Sequence, residues 1–276
     1  MTFTKLASTA LALLVLSAPA QAMTVRLWRL DCGAVQVNDL NLFSDSYAYA
    51  GRSQRLTDSC YLIQHGADYM LWDTGLPAAQ IGKPLGNEPM SATLTQTVAK
   101  QLGTLDVRPD QITLIGISHY HFDHVGQAAG FSQAKLLIGK ADLDALAAKP
   151  TPFGAEPRLL APWLTGHAPL EPVSGDKDVY GDGTVTMLSM PGHTPGSYAL
   201  LVRLQKAGPI LLSGDVVHFE EQLTANNVPP FNTDRAASLA SMDRLRAMIA
   251  NLKALLIVQH DAADVGKLPA FPAAAD

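Results

Sequence analysis

"QITLIGISHYHFDHVG" (residues 111–126) joins an apolar, β-branched run to a cluster of donors: His119, His121, Asp123 and His124. The first eight residues predict a strand covered on both faces, because a strand with one wet face would alternate apolar and polar residues. The donors then fall just past its C-terminal end, the edge at which open α/β sheets hold their ligands. Imidazole and carboxylate together suit zinc or another borderline divalent metal. Along an extended segment alternate residues share a side, so His119, His121 and Asp123 face one way and His124 the other. Such a loop can serve two ions, one histidine pair for the first and the Asp/His pair for the second. A merely polar surface loop is the competing reading, and it gives no reason for the donors to crowd at a strand end. The loop alone is an incomplete site, since a zinc ion takes about four ligands.

Three further strand ends supply the rest. "VTMLSMPGHTPGS" (185–197) offers His193, flanked by Gly192 and Gly196, which permit unusual backbone angles and close approach. "PILLSGD" (209–215) ends on Asp215, and "ALLIVQH" (254–260) ends on His260. Singly, Asp215 reads as well as a helix cap, and His260 as a structural histidine. Seven donors sharing one kind of placement point to a metal centre.

The chain has 276 residues, 47% hydrophobic against 16% charged, enough to bury a sizeable core. No internal repeat or linker divides it. The formal net charge of −5, with no basic run to track a phosphate backbone, argues against a nucleic-acid partner. "MTFTKLASTALALLVLSAPAQA" (1–22) has a positive Lys5, an apolar stretch to Leu16 and a small-x-small end, the pattern of a secretory signal peptide. Cleavage is expected after Ala22, with export to the periplasm or beyond, no stable membrane anchor afterwards, and one domain over 23–276. An oxidising compartment permits a disulfide. Cys32 ends one strand-like run and Cys60 begins another, yet spacing alone leaves a bridge and two buried free thiols both open.

Other strands are expected at 24–30, 60–65, 68–73, 134–140 and 197–204. Helices are expected at about 93–102, 141–149 and 234–249. The Pro-rich segment 150–172 shows no period and reads as an irregular loop near the site. This order, β-rich, βαβ, β-rich, then αβ, predicts an α+β fold of two sheets packed face to face with helices outside, a four-layer αββα sandwich.

"HYHFDH", "GHTPGS", "LLSGD" and "LLIVQH" together resemble the metallo-β-lactamase superfamily, and "LWDTGLP" (71–77) is similar as well. The resemblance implies two zinc ions. His119, His121 and His193 would hold the first, and Asp123, His124 and His260 the second, with Asp215 bridging. It gives Asp73 the role of orienting the ligand loop through hydrogen bonds. A bridging aspartate is absent from true β-lactamases of this motif type and present in lactonases and glyoxalase II-like thioesterases. The segments 30–51 and 226–261 look most like N-acyl homoserine lactonases, the quorum-quenching branch. The implied activity is ring opening of such lactones by a metal-bridging hydroxide, with Asp123 as proton carrier.

Many lactonases of that branch carry a tyrosine three residues after the bridging aspartate, where this chain has His218. His218 is expected to assist at the substrate carbonyl, with a structural role as the alternative. Phe43, Phe153, Trp163, Phe219 and Phe231 are candidates for the acyl-chain pocket. Two rival functions stand beside the lactonase. One is another hydrolase of the same fold: Asp215 disfavours a β-lactamase, and the lack of a long C-terminal helical substrate domain disfavours a thioesterase. The other is a periplasmic zinc-binding protein without catalysis. Acyl-length preference, native metal and oligomeric state stay open, a homodimer included.

Overall fold

The computed structural model describes residues 23–276; the expected signal peptide, 1–22, lies outside the described residues. The first sheet has seven strands: β1 Val25–Val37, β2 Gln54–His65, β3 Asp68–Trp72, β4 Met90–Thr93, β5 Ile112–Gly116, β6 Lys135–Gly139 and β7 Leu170–Val173. Their spatial order is β4-β1-β2-β3-β5-β6-β7, antiparallel from β4 to β3 and parallel from β3 to β7. The second sheet has five: β8 Lys177–Asp178, β9 Val185–Ser189, β10 Tyr198–Leu204, β11 Gly208–Leu212 and β12 Leu255–Ile257, in the order β12-β11-β10-β9-β8. Among the described residues six α-helical segments accompany them: α1 Val98–Thr104, α2 Phe122–Val125, α3 Lys140–Leu146, α4 Ala161–Leu164, α5 Glu220–Ala225 and α6 Arg235–Leu252. Among the described residues no helix is long and apolar enough to cross a membrane.

Side-chain alternation along the strands assigns each residue to a layer. In β10, Tyr198, Leu200 and Val202 enter the core between the sheets with Tyr61, Ile63, Met70 and Trp72. The intervening Ala199 and Leu201 pack outward with Met242 and Leu245 of α6. On the far side of the seven-stranded sheet, Leu62, Leu71 and Ile115 pack with Val98 and Leu102 of α1. Both faces of both sheets are therefore covered, and the αββα sandwich is the observed architecture. Each of these side chains contributes on the order of 1.5–3 kcal/mol by leaving water.

Several boundaries differ from expectation. β1 runs on to Val37 past a bulge between Asp31 and Gly33, because β2 and β4 continue the ladder on either side of it. The helix expected from Thr93 starts at Val98. Residues 90–93 pair with β1 instead, and the Thr97 hydroxyl caps the helix by accepting from the Lys100 amide at 3.1 Å. The segment 150–172 is partly regular, with a 3-10 turn at Pro157–Leu160, then α4 and the start of β7. Cys32 and Cys60 are joined by a disulfide across the bulge, with Cα atoms 5.8 Å apart.

Candidate metal centre

All four ligand-bearing loops open at one end of the sandwich. β5 delivers Ser118 to His124, and the turn after β9 delivers His193. The ends of β11 and β12 deliver Asp215 and His260. β11 and β12 are parallel neighbours, about 4.8 Å apart, so their ends bring Asp215 and His260 together.

The side chains converge in two groups. His193 Nε2 lies 3.1 Å from His119 Nε2 and 2.9 Å from His121 Nδ1. His260 Nε2 lies 3.3 Å from His124 Nε2, with Asp123 Oδ2 4.0 Å from the same nitrogen of His124. Asp215 stands between the groups. Its Oδ2 faces His193 and His119 at 3.5 and 3.8 Å, and its Oδ1 faces His260 and His124 at 3.2 and 3.4 Å. The five histidines and Asp215 are all buried, and Asp123 is half-buried at the edge of the cavity.

Hydrogen bonds on the outer side fix which ring nitrogen faces the centre. Ser118 Oγ donates to Asp73 Oδ2 and so accepts from His119 Nδ1–H at 3.0 Å. His124 Nδ1–H donates to Asp73 Oδ2 at 3.0 Å, and His260 Nδ1–H to the Thr57 carbonyl at 2.7 Å. Ser238 Oγ donates to the Asp234 carbonyl, so it accepts from the Asn232 amide nitrogen. Asn232 Oδ1 is thereby turned to receive His193 Nδ1–H at 2.9 Å. In its neutral form each of these four rings presents a bare Nε2 lone pair to the centre. The neutral lone pairs of His119 and His193, facing one another at 3.1 Å in a buried site, repel, and a shared cation removes the repulsion. Imidazole backed by a carboxylate, carbonyl or hydroxyl is the usual construction of a metal-binding histidine. The residues present fit divalent cations of the zinc type.

Asp73 is the hub of this outer layer. Its carboxylate also accepts the Ser118 amide at 2.7 Å and the Gln259 side-chain amide at 2.9 Å, tying β3, the histidine loop and the end of β12 together. Asp142 of α3 has the matching role for His193 and escaped the sequence reading. It accepts from Gly196 N–H at 2.6 Å, the Thr194 hydroxyl at 2.9 Å and Tyr120 N–H at 3.2 Å. Gly192, at φ +138°, passes so close to the Ser238 backbone that a Cβ would clash. Asn232, Thr57 and Gln222 were missed as well; they lie in the loop before α6, within β2 and within α5, and no local pattern sets them apart.

Charge and burial split the histidines. Burial, reinforced by neighbouring imidazoles, holds His119 and His121 well below the usual range and His193 down at about 3. Burial also disfavours charge on His124 and His260, but the Asp215 carboxylate outweighs it and lifts His260 to about 9. Asp215 is buried too, and the surrounding imidazoles hold its carboxyl well below the ordinary range.

The centre forms the floor of a cavity of about 350 Å³. Phe43, Phe153 and Phe231 line it, with Phe231 5.4 Å from Phe43 and 5.5 Å from Phe153 between ring centroids. Val35, Leu56, Met90, Ala92 and Phe122 complete an apolar wall that the sequence did not single out. Two expected pocket residues lie elsewhere. Trp163 is in the core beneath the seven-stranded sheet, its indole N–H donating to the Ala134 carbonyl at 3.0 Å, because α4 turns that ring away from the site. Phe219 is buried behind the wall against Tyr49, at 5.3 Å, where the extended backbone at the start of α5 directs it.

Two adjoining His/Asp donor groups at the strand ends of an αββα sandwich define a metal-binding hydrolase scaffold. Residues 55–260 match the model of the Metallo-beta-lactamase superfamily, and the chain belongs to that family. It is 26% identical over 221 residues to an N-acyl homoserine lactonase of a Bacillus species, covering 77% of this chain and 84% of the relative. It is 25% identical over 248 residues to the N-acyl homoserine lactonase AttM of Azorhizobium caulinodans, covering 86% and 93%. A solved quorum-quenching N-acyl homoserine lactone hydrolase superposes with a TM-score of 0.78 over 92% of this chain and 100% of its own, at 23% identity. AidC, a dizinc quorum-quenching lactonase, superposes with a TM-score of 0.68 over 87% and 89%, at 19% identity.

Proposed function

We propose that the protein is an exported dinuclear zinc hydrolase that opens the lactone ring of N-acyl homoserine lactones. The observation that carries the two-cation reading is Asp215, whose oxygens are divided between the two histidine groups. The choice of lactone is supported by the lactonase relatives and by an apolar cavity directly above the centre. Bound zinc ions supply Lewis acidity, which polarises a carbonyl and makes water nucleophilic near neutral pH. The chain's own residues do the rest. Phe43, Phe153 and Phe231 hold an acyl chain and exclude bulk water, which strengthens every electrostatic interaction on the floor. Asp123, half-exposed at the cavity edge, is placed to carry a proton to the departing ring oxygen.

Mass spectrometry of the product tests the activity. Ring opening gives a product heavier by one water that closes again on acidification. Free fatty acid, or rapid carbapenem turnover with inert lactones, would sink the proposal. Elemental analysis should return two zinc ions per chain. Export is supported by the Cys32–Cys60 disulfide, which suits an oxidising compartment. N-terminal sequencing of the protein from a cell envelope fraction should begin at Met23, and a cytoplasmic chain beginning at Met1 would refute export.

A further inference from the structure

His218 is built like the metal-facing histidines. It lies on the cavity floor, buried, with Nε2 3.1 Å from Asp215 Oδ2, the oxygen that also faces His119 and His193. Its ring centroid is 5.1 Å from that of His193, and it stacks on His260 at 5.8 Å with the planes 15° apart. His193, Asp215 and His218 bring one donor atom each within 4.8 Å of one another.

The tautomer follows from Gln222, which is itself buried. The Gln222 side-chain nitrogen donates to the Phe43 carbonyl at 2.8 Å, and its Oε1 accepts the His218 backbone N–H at 2.7 Å. One contact requires a donor and the other an acceptor, so the amide has a single orientation. Oε1 therefore also receives His218 Nδ1–H, at 3.2 Å. Neutral His218 is left with a bare Nε2 lone pair aimed at Asp215. It cannot donate from that nitrogen to a substrate carbonyl, the role expected from sequence. A lone pair pointed at a carboxylate oxygen 3.1 Å away repels it, just as the lone pairs of His119 and His193 repel each other.

We infer that His218 is an eighth donor of the centre, binding through Nε2 the cation held by His119, His121 and His193, on the side of Asp215 Oδ2. This rests on the two-cation reading above and is independent of the substrate. Gln222 is a positioning residue that acts through the tautomer.

Cobalt(II) tests it on the purified full chain without any turnover. In the cobalt-loaded wild type, each coordinating histidine keeps an exchangeable ring N–H whose proton resonance is displaced far outside the diamagnetic range. Six such signals are expected with His218 bound, and five without it. The visible absorption spectrum is then read for His218→Ala and His218→Gln, with metal affinity from competition against a chromophoric chelator. One of the two ions should bind at least about tenfold more weakly, since even outer partners of ligands cost that much. Its spectrum should shift to that of a lower coordination number, and added imidazole should restore both in His218→Ala. Five signals in the wild type, or unchanged spectra in the variants with whatever affinity, would overturn the assignment. The wild-type count decides the matter even where a variant fails to fold.

Discussion

Asp215 faces five imidazoles and two histidine groups with a single carboxylate, so its removal is felt twice. Asp215→Ala takes a donor from each site and the negative charge that offsets repulsion between two cations. The variant is expected to retain about one metal ion per chain and to lose more than about a hundredfold in lactone turnover, because the ligands left behind are no longer held around both ions. Metal content measured beside kcat checks this; full metal with a small loss of rate would mean that another residue bridges. His218→Ala touches one site only and should cost less. At this scale the donors were legible in the sequence because each stands where a strand stops. Asp142 was not. It supports His193 from a helix more than fifty residues earlier, and nothing local distinguishes it from any acidic residue in a first helical turn.

Single strands and turns contribute through their ends. Asp73 follows β3 in a left-handed backbone conformation, φ +57°, which an aspartate tolerates and which turns its carboxylate back across the histidine loop. Asp73→Asn replaces an acceptor oxygen by an amide that cannot accept from Ser118, His124 and Gln259 together. Metal affinity should fall about 10–100-fold, with His119 and His124 still present, and chelator competition measures it. Wild-type affinity would show that packing alone orients the loop. Cys60→Ser opens a bridge between residues 28 apart and should lower unfolding free energy by about 3 kcal/mol in chemical denaturation. An equal midpoint with and without reductant would show that the bridge adds nothing. The sequence put the cysteines at the ends of two strand-like runs but left their bridge open and missed the bulge, because bulges are set by pairing with β2 and β4 rather than by residue type.

Across the whole molecule, Asp142 joins the two sheets at the site, linking the loop after β5 to the loop after β9. Burial pushes its carboxyl up to about 7, against the pull of the Thr194, Gly196 and Tyr120 donors. A carboxyl raised in the folded state lends its stability in full below the unfolded value near 4 and loses it as pH climbs through 7. In metal-free protein, the lead of wild type over Asp142→Asn in thermal unfolding should therefore narrow between pH 5 and pH 8. A widening lead would mean that the three hydrogen bonds outweigh burial and keep Asp142 ionised. The sequence by itself determined the αββα order of elements, from the periods of its apolar residues, and the donors, from their position just past apolar strands. Both are local properties: alternation decides which face is buried, and a strand end decides where a side chain emerges. Only the tertiary structure decided the division of Asp215 between two groups, the inward lone pair of His218 and the exclusion of Trp163 and Phe219 from the cavity. Those depend on which strands lie side by side and on hydrogen bonds between residues tens to hundreds of positions apart, and no local pattern encodes such distances.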